Sequence, residues 1–266
     1  MYLSEINIYP VKSLGGISVE ESVVEARGLE RDRRLMLVDA ANQFISQREI
    51  AAMALIKTEI IDDGLIAACY GKSLRIPAIP DGTTATVKVW SSSVKARVYD
   101  DETNAWFSDV LGINCRLVLM PEETKRKVNP LYAVRKNEDT VSFADGYPFL
   151  LIGQASLDDL NSRLAEPLPM NRFRPNFVVA DAEPFDEDTW KKVRIGDTVF
   201  HIVKPCARCV ITTVDQTTGE KGKEPLKTLA SFRNMGGNLM FGQNLIAEKA
   251  GGTLRVGDRV EILKSK

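Results

Sequence analysis

Lys204-Pro205-Cys206-Ala207-Arg208-Cys209-Val210-Ile211-Thr212-Thr213-Val214-Asp215 is the one stretch of the chain where two cysteines, two cations and a run of β-forming residues meet. Upstream, residues 198–203 read as a strand that Pro205 ends, because proline cannot donate to a ladder. Residues 210–214 read as the next strand, and Gln216-Thr217-Thr218-Gly219 as a turn with glycine where a positive φ is needed. Cys209 is therefore expected at a loop-to-strand junction. Lys204 and Arg208 lie near enough in sequence to favour its thiolate, the form that binds metals. Cys-x-x-Cys is also the spacing of a zinc half-site or a thioredoxin-like redox pair. Zinc needs further ligands, but there is no second such pair and His201 is the only histidine. A redox pair normally opens a helix, whereas residues 210–214 favour a strand.

Around this stretch the sequence is strand-rich. Short β-patterned runs cover residues 4–9, 17–26 and 34–39. Hairpins are expected at 56–61 with 65–69, across Asp62-Asp63-Gly64, and at 86–90 with 94–98 across a serine-rich turn. Trp106, Phe107, Val110 and Leu111 form an apolar helical stripe, with Thr103 as N-cap. Ser156 is expected to cap a second helix carrying Leu157, Leu160 and Leu164, and Pro225 to open a third that runs to Phe232. Residues 241–246 and 256–262 read as closing strands. Many short strands with few helices predict a mainly β, α+β protein of two β-barrel-like domains with peripheral helices. The boundary falls at the polar segment 121–137, which reads as a solvated loop, giving units 1–120 and 121–266.

With 35 basic and 36 acidic residues among 266, the net charge of −1 gives no overall field for nucleic acid or an anionic membrane. Four cysteines make no disulfide framework, and Cys69 and Cys115 sit in apolar surroundings as buried thiols would. The first residues are interrupted by Glu5, Pro10 and Lys12 and do not read as a targeting segment, and no apolar run approaches a membrane span. The expected compartment is the cytoplasm.

The cysteine stretch resembles the motif of the MOSC family, and more narrowly the branch that includes the mitochondrial amidoxime-reducing component and its bacterial relatives. The resemblance runs from Tyr9 to Ile262, with Phe173-Arg174-Pro175-Asn176 and the cysteine motif its most specific parts. It implies a molybdenum cofactor, carried by a pterin with a dithiolene and a phosphate, and it makes Cys209 the metal ligand. Such a group needs a soft ligand for the metal, cations for the phosphate and polar donors for the pterin edge. Tyr9-Pro10-Val11-Lys12-Ser13 resembles the N-terminal motif whose Lys and Ser contact the cofactor. Arg33 after Asp32, Arg48, Asp145 before Pro148-Phe149-Leu150, and Arg174 match further cofactor positions. Arg172 and Arg208 are additional candidate cations. Ala207 departs from the usual Ser, and Gly146-Tyr147 replaces smaller residues beside Asp145. The implied activity is reduction of small N-hydroxylated compounds. Some relatives carry an iron–sulfur domain whose cysteines are not found in these 266 residues, so electrons are expected from a separate donor protein. Two further readings are a sulfur carrier with a persulfide on Cys209 and a protein that binds the cofactor without turnover.

Overall fold

Leu3, Ile6 and Ile8 are buried in the first strand while Tyr2 is exposed, and a bulge between Leu3 and Glu5 brings side chains three apart onto one face. In the computed structural model, which describes residues 1–266, this strand is β1 (Tyr2–Ile8). It is followed by β2 (Ile17–Val19), β3 (Glu21–Glu25), β4 (Gly28–Leu29) and β5 (Leu35–Asp39). The expected hairpins follow as β6 (Lys57–Ile61), β7 (Gly64–Cys69) and β8 (Lys72–Pro77), then β9 (Thr84–Val89) and β10 (Ser92–Val98). Helix α1 (Asp101–Leu111) and β11 (Cys115–Leu119) complete the first 120 residues. Asp100, not Thr103, caps α1: its carboxylate accepts the Thr103 amide at 2.7 Å, leaving Thr103 inside the first turn.

The rest of the chain forms β12 (Phe149–Gly153), α2 (Gln154–Ser162), β13 (Phe177–Ala180), β14 (Trp190–Ile195) and β15 (Thr198–Ala207). It ends with α3 (Leu226–Phe232), β16 (Asn234–Met235), β17 (Asn238–Ala247), β18 (Thr253–Arg255) and β19 (Val260–Ser265). The protein is thus mainly β with three helices at the periphery. The largest sheet has the order β19-β14-β15-β17-β12-β13-β1-β2, with β16 beside β17. Strands β5, β11, β10 and β9 form a second sheet, and β6, β7 and β8 a third. No helix is long and apolar enough to cross a membrane.

The two units share their chain unevenly. Strand β1 pairs with β13 and β3 pairs with β18, so β1–β4 belong by hydrogen bonding to the sheets of the C-terminal half. Leu3, Ile6, Ile8, Val24 and Leu29 enter the same core as Phe149, Phe177 and Phe200, whose rings touch one another. A division after residue 120 cuts through that core. The first unit's own core, including Leu37, Met53, Phe107 and Leu117, is built from β5 onward together with Val11 and Leu14.

Ser156 is not a helix cap. It is fully buried inside α2, where its hydroxyl donates to Glu187 Oε2 at 2.8 Å and accepts the Phe185 amide at 2.8 Å. Glu187, 1% exposed, also accepts the Gly153 amide at 3.1 Å. Burial raises its carboxyl above the usual range, while these donors pull the other way. Glu187→Ala would strand a buried N–H and a hydroxyl at the β12–α2 junction. Its expected cost is about 2–4 kcal/mol, read as a lower denaturation midpoint, with Glu187→Gln costing less.

The segment 121–137 is also more ordered than its composition suggests. Asp139, 2% exposed, accepts the Val134 and Arg135 amides at 2.7 and 2.8 Å, and Val128 is buried against Val141. Arg126 is 7% exposed and turned inward. Arg126 and Asp139 thus satisfy loop backbone, while Glu122, Glu123, Lys125 and Lys127 face water as the composition suggests.

Candidate cofactor pocket

The cysteine stretch departs from its expected shape at both ends. Strand β15 runs through Pro205 to Ala207, with register shifts at 202/204 and 205/207. Pro205 is tolerated because β14 pairs with β15 only as far as His201, so this end is an edge on one side. Residues 210–213 are not a strand but a 3-10 turn. The Thr212 and Thr213 hydroxyls donate to the carbonyls three residues back, at 2.9 and 2.8 Å, and these local bonds overrule β propensity. Cys209 is the residue from which that turn starts.

Cys209 lines a pocket holding about 770 Å³ of space free of protein atoms, its mouth included. Lys12, Ser13, Arg33, Asp145, Arg172, Arg174 and Arg208 line it too, so eight of the nine residues singled out from sequence converge there. The ninth, Arg48, reaches in from the first unit: its Nη2 lies 3.4 Å from Cys209 Sγ and 3.5 Å from Asp145 Oδ2. The cation at the sulfur is therefore Arg48, not Lys204 or Arg208. Lys204 sits over the Tyr132 ring at 4.7 Å, and Arg208 donates to the carbonyls of Phe241 at 2.7 Å and Phe173 at 3.0 Å. Cys206 lines the pocket as well, and burial pushes its thiol pKa up, with Arg208 opposing.

Each cation is held from more than one side. Lys12, 4% exposed, donates to Asp145 Oδ1 at 2.5 Å and to the Phe143 carbonyl at 2.9 Å. Burial lowers its ammonium pKa to about 8, Asp145 only partly offsetting this. The Asp145 carboxyl feels burial upward, but Lys12, Arg48 and the Trp90 indole N–H outweigh that and hold it well below the carboxylate range. Its side chain is 59% exposed, so solvent screens part of the coupling. Arg33 and Arg174 both adopt positive φ, +51° and +55°, and stack on Tyr9 at 4.4 and 4.2 Å. Arg33 pairs with the fully buried Asp32 at 2.7 Å, and Arg174 donates to the Leu14 carbonyl at 2.7 Å. Burial lowers Arg174 to about 10. Such strained backbone persists only where its surroundings impose it.

Sequence reading missed three supports. Arg126 donates to the carbonyls of Ser142, Ala144 and Asp145 at 2.9, 2.5 and 2.6 Å, fixing the loop that carries Asp145. Gln47 and Gln216, both buried, exchange amide hydrogen bonds across the units, and Gln47 also donates to the Ser13 carbonyl at 2.8 Å. Asn176, 1% exposed, ties the Leu150 amide to the Asn7 carbonyl. Asn176 and Gln47 stood in recognised motifs, beside Arg174 and Arg48, and Gln216 in a predicted turn, but no local signal gave these partners.

The pocket fits the group that the resemblance implies. Six buried side-chain polar atoms lack a partner, and three belong to arginines of this lining: Arg172 Nε, Arg174 Nη2 and Arg208 Nη2. A buried guanidinium N–H without an acceptor is costly, and an oxyanion is its natural partner. Five cations line the pocket against the single carboxylate of Asp145. No group of three or more histidine, cysteine or carboxylate side chains is placed to hold a metal. One cysteine sulfur beside a set of cations suits a metal whose other ligands come from an anionic cofactor.

The chain is similar to known proteins across both of its halves. A profile described as the MOSC N-terminal beta barrel domain matches residues 1–114, and one described as the MOSC domain matches residues 138–261. Mitochondrial amidoxime-reducing component 1 of Mus musculus is 36% identical over 98% of this chain and 82% of its own length. The protein of that name from Homo sapiens is 33% identical over the same shares. The molybdenum cofactor sulfurase of Arabidopsis thaliana is 33% identical over 97% of this chain, which corresponds to 35% of that longer protein. With both profiles matched and full-length relatives above 30% identity, this chain belongs to the MOSC family.

Proposed function

We propose that the protein is a molybdenum-cofactor-dependent oxidoreductase that reduces N-hydroxylated compounds to their N–H forms with electrons from a separate donor protein. The observation that carries this reading is the convergence of Cys209 with arginines whose inner nitrogens lack partners, in a chain similar over its length to proteins named amidoxime-reducing components. When bound, the cofactor supplies two-electron chemistry at a metal able to take up oxygen. Cys209 would hold the metal through its sulfur. Arg172, Arg174 and Arg208 would hold the anionic end, and Lys12, Ser13 and Arg33 would fix the group from the first unit. Arg48 steadies the sulfur and Asp145 together. Reduction of N–OH to N–H consumes two electrons and two protons and releases water.

The test is direct. Protein made in a host that assembles the cofactor should carry about one molybdenum per chain. It should also yield a fluorescent pterin on oxidation and reduce an amidoxime with reduced viologen as donor. Stoichiometric zinc with no molybdenum would sink the reading. The similarity to a molybdenum cofactor sulfurase supports a second reading, in which Cys209 carries a persulfide for delivery to another protein. Cyanide-releasable sulfur in cofactor-free protein would favour it.

Lys12 sets a pH dependence. Its charge is complete below its folded pKa of about 8 and is lost as pH rises through that value. Sulfate keeps its charge over this range, so its affinity for the cofactor-free pocket should fall about tenfold between roughly pH 7 and 9. Calorimetric titration would show this, and Lys12→Arg should flatten the profile.

A further inference from the structure

Trp90 stands at the tip of the β9–β10 hairpin, where Val89 pairs with Ser92 and only Trp90 and Ser91 make the turn. Its φ is +55°, a left-handed conformation that a large side chain enters at a cost and that tight hairpins usually give to glycine, asparagine or aspartate. The ring is also kept out of the core. Trp90 is 45% exposed, whereas Trp190 is fully buried and Trp106 packs edge-on against Phe107.

Specific contacts hold it there. The indole Nε1 donates to Asp145 Oδ1 at 3.2 Å, Phe44 packs against the ring at 4.9 Å, and Arg48 lies over it at 4.5 Å. Arg48 continues to Cys209 Sγ, so one side chain separates the indole from the sulfur. Two residues beyond Asp145, Tyr147 lines the pocket and meets Tyr132 edge-on at 6.0 Å. Burial raises the Tyr147 hydroxyl to about 12, which keeps the ring neutral. Trp90 thus meets Asp145 directly, and Tyr147 shares the pocket lining with it.

We propose that Tyr147, which lines the pocket, and Trp90, which joins it through Asp145 and Arg48, are specificity-determining residues that favour flat, aryl-bearing N-hydroxylated compounds over small aliphatic ones. The inference rests on the reductase reading above. An aryl ring gains from edge-on or offset contact with these side chains, whereas a methyl group in its place gains little. Losing one such contact corresponds to roughly a 3–10-fold change in apparent affinity.

The experiment compares benzamidoxime with acetamidoxime on the holoenzyme, using reduced viologen as donor. Trp90→Ala and Tyr147→Ala should each raise KM for benzamidoxime about 3–10-fold while moving that for acetamidoxime less than about twofold. Trp90→Phe keeps a ring beneath Arg48 and should restore most of the preference. Calorimetric titration with the non-reducible benzamidine and acetamidine gives a second readout that needs no turnover. Wild-type protein should prefer benzamidine, and Trp90→Ala should lose that preference. If no N-hydroxylated compound is reduced, the reductase reading fails and the amidine titrations alone judge the two aromatic residues. Equal KM changes for both substrates, or a benzamidine preference that is missing in wild type or survives in both alanine variants, would overturn the proposal.

Discussion

Cys209→Ser protein, purified from cells that make the molybdenum cofactor, is expected to carry less than roughly a tenth of the wild-type molybdenum and to show no detectable amidoxime turnover. A serine hydroxyl is hard and stays protonated, so it replaces the soft ligand with a poor one without disturbing the turn. That turn is built from Thr212 and Thr213 hydroxyls and backbone bonds, none of which uses the sulfur. The fold should therefore survive, and an unchanged thermal midpoint for the cofactor-free variant would show it. Cys206→Ser is the informative contrast. Cys206 lies on β15, burial raises its thiol pKa, and its thiol is 4.0 Å from the Ala207 carbonyl. Arg48, by comparison, is 3.4 Å from the Cys209 sulfur. Cys206→Ser should keep its metal and most of its turnover. Equal loss in both variants would point to a dithiol mechanism, and intact turnover in Cys209→Ser would remove the ligand assignment.

A fragment beginning at Pro121 is expected not to fold cooperatively, with neither a sharp thermal transition nor pterin retention. The reason lies in hydrogen bonding and packing together. Removing residues 1–120 takes β1 from the side of β13 and β3 from the side of β18. It also strips Leu3, Ile6, Ile8, Val24 and Leu29 from the core that contains Phe149, Phe177 and Phe200. Each such side chain contributes about 1.5–3 kcal/mol by burial. Their combined loss, on the order of 10 kcal/mol, matches the whole stability of a typical domain. The fragment would lose Lys12, Ser13, Arg33 and Arg48 as well, so the pocket would keep Cys209 with only part of its charge. Circular dichroism showing a native-like, cooperative melt with full pterin occupancy would contradict this.

How much of this the sequence settled by itself follows from the range of the forces involved. Alternating side chains and turn residues marked the hairpins 57–69 and 84–98, because both signals act over a few residues. The motif residues were legible too: Lys12, Arg33, Asp145, Arg174 and Cys209 stand in short patterns that resemble a known family, and the pocket gathers them. Local reading failed where a neighbour's hydrogen bonds overrode propensity, as in the 210–213 turn and at Ser156, whose hydroxyl serves Glu187 instead of a helix end. It also failed wherever the partner was far along the chain. Nothing near Arg126 announces that it will hold the carbonyls of residues 142–145, and nothing near Trp90 announces Asp145, 55 residues away. Short-range pattern was enough for the strand-rich class, the cysteine at the centre and the cations suited to an anionic group. That β1–β4 complete the C-terminal sheets and that Arg48 reaches Cys209 emerges only in the folded chain, because pairing across more than a hundred residues depends on which surfaces bury one another.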